Sequence, residues 1–156
     1  MSQFRIDETV ETHITGESTA KQFIGMRLGV EEYVMDISSV REILMLDNIT
    51  YVPRVADHFE GVINLRGKII PIINLRMKLG LEDADFTQTT RVIIVDVEGN
   101  IAGLLVDAVT KVLRISDENL EPASSSLGEI SEEYICGVGR TGGGIVGLLD
   151  VEKLIG

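Results

Sequence analysis

The chain is poor in several things that functional classes require. It has one cysteine, Cys136, so no internal disulfide can form, which fits a reducing cytoplasm. It has two histidines, His13 and His58, and neither has a second His or a Cys at ligand spacing, so no zinc site is expected. Basic side chains are scarce: 14 Lys and Arg stand against 25 Asp and Glu, a formal charge of −11. That sign opposes a phosphate backbone, so no nucleic-acid partner is expected. No apolar run reaches bilayer-crossing length, so direct membrane insertion is not expected. The start, MSQFRIDETVETHITGESTAK, lacks the basic opening and apolar block of a secretory signal, and the expected location is cytoplasmic.

What is present is apolar and periodic. Apolar residues make up 44% of 156, enough core for one ordinary domain or two very small ones. The stretch GVINLRGKIIPIINL, Gly61 to Leu75, holds two β-rich runs around Arg66-Gly67-Lys68 and predicts a hairpin. The run IIPII predicts a strand buried on both faces, and Pro71, having no donor, predicts an edge or a bulge there. Residues 1–20 are polar and without period, and they predict a mobile tail. Lys21 to Leu28 and Glu32 to Ile37 alternate around Gly29-Val30-Glu31, a second hairpin with Ile24, Met26, Leu28, Tyr33, Met35 and Ile37 inward. Ser38 can cap a short helical turn. Asp47 to Glu60, with Pro53, reads as loop or irregular strand. Leu75 to Gly80 reads as a short helix stopped by Gly80, and Glu82 to Thr90 as a linker.

The second half repeats the first. Arg91 to Val97 and Ile101 to Val106 alternate around Glu98-Gly99-Asn100. Val109, Val112 and Leu113 then stand where Val40, Ile43 and Leu44 stood, and Ile145 to Gly156 matches Ile69 to Gly80. The second copy is longer through the connection 114–134. One supersecondary unit used twice predicts two subdomains, 21–87 and 88–156, each about five short strands with a helical turn. The copies would be related by a pseudo-two-fold, and strand exchange between them stays open. Near such an axis Ile37, Val40 and Ile43 would face Val106, Val109 and Val112. That apolar seam can glue the halves together or receive the apolar stripe of a helix.

Reactive constellations are not found. Cys136, between Ile135 and Gly137, reads as structural. The Gly-rich run Gly137 to Gly144 lacks the Lys-Ser/Thr pair of a phosphate loop and reads as a hairpin turn. Asp36 and Asp107 follow strands, where a carboxylate can serve chemistry or cap the next turn. No enzyme and no cofactor is expected. A small-barrel ligand or nucleic-acid binder is the alternative class.

The hairpin Gly61-Val62-Ile63-Asn64-Leu65-Arg66-Gly67 followed by Ile69-Ile70-Pro71 resembles the signature of the chemotaxis coupling proteins, the CheW family. The likeness runs through Gly29 to Tyr33, Val40 to Ile43, Gly103 to Asp107 and Leu149 to Leu154, and covers about residues 20 to 156. The resemblance implies a mostly β fold of two SH3-like five-stranded barrels with short helical turns and no catalytic activity. It implies a free-standing adaptor, since the chain has no room for a kinase or a receiver. It implies two partners, the tips of methyl-accepting chemoreceptors and the regulatory domain of the histidine kinase CheA, at membrane receptor arrays. By the same resemblance, Ile24, Ile37, Val40, Ile43 and Val109 map to a receptor groove, with Glu42, Asn64 and Arg66 beside it. Tyr51, Val52, Pro53 and Phe59 map to a kinase contact.

Overall fold

A computed structural model describes residues 3–5, 20–46, 58–122 and 132–156. Among them the fold is mostly β, in two six-stranded sheets. The first half of the chain gives β1 (Gln3–Arg5), β2 (Lys21–Leu28), β3 (Glu31–Asp36), β4 (Val40–Met45), β5 (Phe59–Leu65), β6 (Lys68–Asn74) and helix α1 (Leu75–Lys78). The second half gives β7 (Arg91–Val97), β8 (Asn100–Val106), β9 (Ala108–Ile115), β10 (Leu120–Pro122), β11 (Ile135–Thr141), β12 (Gly144–Leu149) and helix α2 (Val151–Ile155). The first sheet runs β1-β4-β7-β8-β6-β5 and the second β10-β11-β12-β3-β2-β9.

Each sheet draws on both halves. The hairpin β2–β3 leaves the first half to join β9, β11 and β12, and β7–β8 leaves the second to join β4, β5 and β6. The duplication read from the sequence is matched strand for strand: β2 with β7, β3 with β8, β4 with β9, β5 with β11 and β6 with β12. The sheets even share their one parallel pairing, β6 on β8 and β12 on β3.

The hairpins form where sequence periodicity says they should. The turn between β5 and β6 is Arg66-Gly67, with φ of 50° and 85°, and that between β7 and β8 is Glu98-Gly99, with 52° and 89°. Two successive positive φ values make the two-residue turn whose twist matches the flanking strands. Asn74 and Asp150, equivalent positions in the two copies, cap α1 and α2 by accepting from Met77 N–H and Lys153 N–H.

Three local expectations are corrected. The turn at residues 37–39 is a 3-10 turn capped by Asp36, whose Oδ1 accepts from Ser38 N–H at 2.9 Å; Ser38 is a donor there, and a strand follows at once. Pro71 is neither on an edge strand nor at a bulge. β6 lies between β5 and β8, but its ladder to β8 starts only at Ile72, so the missing donor faces no partner. Ile69, at the turn end of the IIPII run, is 64% exposed, so that run is not buried along its whole length.

The largest apolar cluster belongs to neither sheet alone. Ile24, Met26, Tyr33 and Met35 of the second sheet pack with Val40, Ile43, Ile93, Val95 and Leu104 of the first. Two smaller clusters sit within single sheets, one around Leu44, Ile72 and Ile94, the other around Phe23, Val34 and Ile115.

Candidate functional site

The apolar seam depends on a repeated irregularity. Strict alternation along Val40-Arg41-Glu42-Ile43 would send Val40 and Ile43 to opposite faces. In the ladder to β7, Val40 pairs with Val95 and Glu42 with Ile94, so Arg41 is an extra residue, a bulge. The strand then turns Val40 and Ile43 into the shared cluster while Leu44 enters the first sheet's own core. β9 does the same: Lys111 pairs with Gly25 and Val109 with Met26, with Thr110 extra, and Val109 and Val112 both pack on the shared cluster.

The resulting seam has a buried floor and a half-open lip. Ile24, Val40 and Ile43 are 0%, 8% and 2% exposed. Ile37, Val109 and Val112 pack on that floor while keeping part of their surface in solvent. The turn bearing Ile37 lies against β2 and β7, one strand from each sheet. The five apolar residues mapped to the groove therefore share one cluster, and of those five Ile37 and Val109 face solvent.

Glu42 and Arg66 stand on the other face of β4. Glu42 is 3% exposed, and its Oε2 accepts from Arg66 Nη2. Its Oε1 is a buried oxygen with no hydrogen-bond partner among the described residues. The pair closes a cavity of about 170 Å³ at the end of the first sheet, walled by Leu65, Ile70, Ile94 and Ile101 with Arg41 and Lys68 at its mouth. Asn64 is exposed and holds the turn, its Oδ1 accepting from Gly67 N–H at 3.0 Å. Phe59 opens β5 opposite Ile73, half-buried. Tyr51, Val52 and Pro53 lie outside the described residues.

A three-part clamp was not anticipated. Asp107, between β8 and β9, accepts from Arg76 Nε at 2.8 Å and Nη2 at 2.5 Å, and from Gly29 N–H at 2.7 Å. Arg76 follows the first sheet's β6 and Gly29 turns the second sheet's hairpin, so one carboxylate ties the sheets together. Asp107 after a strand was the only signal for it; nothing marked Arg76. Partial burial alone would raise the Asp107 pKa, but donation from Arg76 and Gly29 outweighs it and holds the carboxyl below its usual value. A depressed carboxyl contributes stability that is complete above the unfolded-state value of about 3.9 and is lost as the pH falls below it. Asp107→Asn should therefore cost about 1 kcal/mol at neutral pH, the scale of a partly exposed ion pair. It should also flatten the fall in stability below about pH 4 seen by urea titration. An unchanged acid limb would show that the clamp is not coupled to folding.

No group of three or more His, Cys, Asp or Glu that could hold a metal occurs among the described residues, and no described helix is long and apolar enough to cross a membrane. Burial comes first in raising the Cys136 thiol above its ordinary pKa, so it carries little thiolate.

Comparison with known proteins gives the family and the fold. The family model described as CheW-like domain matches residues 22–156. The chain is 36% identical over 142 residues to the chemotaxis protein CheW of Klebsiella aerogenes, covering 91% of this chain and 86% of that protein. It is 34% identical over 134 residues to the chemotaxis protein CheW of Helicobacter pylori, covering 86% of this chain and 81% of that one. The crystal structure of scaffolding protein TtCheW from Thermoanaerobacter tengcongensis superposes with a TM-score of 0.79 at 34% identity, over 84% of this chain and 89% of that one. With the duplicated sheets and a family match over nearly the whole length, the chain belongs to the CheW-like family of chemotaxis proteins.

Proposed function

We propose that this chain is a non-catalytic adaptor that couples the cytoplasmic tips of chemoreceptors to the histidine kinase CheA, with a receptor helix seated along the seam between the sheets. The observation that carries the reading is the lip of Ile37, Val109 and Val112 over a fully apolar floor drawn from both sheets. An apolar stripe of that kind suits residues at i, i+3 and i+4 of a helix. On this reading each copy of the repeat, 21–87 and 88–156, is one half of the scaffold, and the first sheet's edge strand β5, which Phe59 opens, meets the kinase; Tyr51, Val52 and Pro53 are assigned to the same contact. Without chemistry, the adaptor transmits a signal by binding one partner state more tightly than another, and a differential of about 1–3 kcal/mol is enough.

Val109 is the position to test. Val40 is buried, so a charge there would report on folding, whereas Val109 keeps one side in solvent. Val109→Asp should weaken binding of a receptor-tip fragment at least about tenfold, the scale of an unpaired charge forced into an apolar contact. It should leave binding to the CheA regulatory domain unchanged in a parallel pull-down. Equal loss of both partners, or loss of neither, rejects the seam as the receptor seat.

A further inference from the structure

β1 has no counterpart in the duplicated architecture. It pairs antiparallel with β4, Gln3 opposite Leu44, Phe4 opposite Ile43 and Arg5 opposite Glu42. β9, the equivalent of β4, ends its sheet with no strand on its outer edge among the described residues. The family match begins at residue 22, downstream of β1. The duplicated unit is therefore complete without β1, and an extra strand has been laid on one of two equivalent edges.

We propose that residues 3–5 are a displaceable strap, which covers the edge of β4 in the free chain and yields it when a partner helix takes the seam. This rests on the receptor-seat reading given above. The strand is only three residues long, so it gains few ladder bonds, and ordering the chain that makes them offsets much of that gain. Residues 6–20 join it to β2 and could reach about 50 Å if extended, so the ladder and not the tether holds it in place. An added strand extends a sheet by about 4.8 Å, whereas a helix with its side chains is about 10 Å across. β1 pairs with β4 at Ile43, a floor residue of the seam, so a helix drawn onto that floor beside Ile37 competes with β1 for the β4 edge. Strap and helix exclude each other, and the strap reduces the observed affinity by the fraction of molecules in which the edge is open.

The test compares the full chain, a chain beginning at residue 20, and the full chain carrying Gln3→Pro with Phe4→Pro. Adjacent strand residues alternate in which N–H faces the ladder, so the two prolines remove a donor in either register. Circular dichroism should be nearly the same for all three, since the duplicated strands are untouched. Without any partner, amide exchange at the outward-facing N–H groups of Glu42 to Leu44 should be faster in both altered chains. Unchanged exchange overturns the strap. Both altered chains should also bind a receptor-tip helical fragment about fivefold more tightly, through faster association at an unaltered dissociation rate. Faster exchange with equal or weaker affinity overturns the competition and leaves the receptor seat standing. A fragment that binds none of the three chains rejects the receptor seat, and the competition with it.

Discussion

Leu104→Ala should lower stability by about 3 kcal/mol, the usual cost of emptying a fully buried leucine site, and should loosen both sheets at once. Leu104 lies on β8 in the middle of the first sheet and is wholly buried in the shared cluster. Its neighbours there include Ile24, Met26 and Tyr33 of the second sheet, so the cavity opens into both. The topology adds a stronger demand. β2 and β3 belong by chain order to the half that builds β4, β5 and β6, yet they pair with β9 and β12. Neither sheet can come apart without pulling strands from the half that feeds the other. Hydrogen exchange at β3 and at β7, followed through a urea series, should give coincident midpoints in the parent chain and again in the Leu104→Ala chain. Two separated midpoints would mean that the sheets unfold as independent units and that the shared cluster does not couple them.

What could be read in advance follows from the range of each interaction. Hairpins are local. Alternation in residues 21–36, 59–74 and 91–106 needs only neighbours, and all three appear as paired strands. The choice of sheet for each hairpin is not local. β6 meets β8 and β12 meets β3 in parallel across long stretches of chain, and no residue near Ile72 or Gly147 signals it. The bulges at Arg41 and Thr110 were equally silent, since neither residue type demands one. Without them a period-2 reading puts Val40 and Ile43 on opposite faces, although the apolar residues themselves had been picked out by their recurrence in the second copy. The 3-10 turn shows two neighbouring candidates: Asp36 and Ser38 are both good cap types, and it is Asp36, extended at the end of β3, whose side chain accepts. Residues 3–5 form a strand although residues 1–20 carry no period, because an edge strand of three residues needs a free neighbour more than a pattern.

Arg66→Gly should destabilise the parent chain by about 2 kcal/mol yet stabilise a Glu42→Gln chain by about 1 kcal/mol. Two opposed terms meet at Arg66. Its φ of 50° lies in the left-handed region, which costs a side-chain-bearing residue about 1–2 kcal/mol relative to glycine. Its guanidinium also gives the buried Glu42 carboxylate the one hydrogen bond found for it among the described residues, where Oε1 has none. Removing the partner of a fully buried ion costs about 3–5 kcal/mol, and the half-exposed arginine places this pair at the lower end. The loss outweighs the relief while Glu42 is a carboxylate. Once Glu42 is replaced by an uncharged amide of the same shape, the penalty shrinks to that of an ordinary buried polar group and the backbone relief dominates. The reversal of sign, read from four urea midpoints in a double-mutant cycle, isolates the pair from the turn. If Arg66→Gly destabilises both backgrounds equally, the arginine is held for its contacts at the turn and not for Glu42. Should the three chains lacking the ion pair also bind the receptor-tip fragment as the parent does, the pair serves the fold alone, and the seam on the opposite face of β4 carries recognition without it.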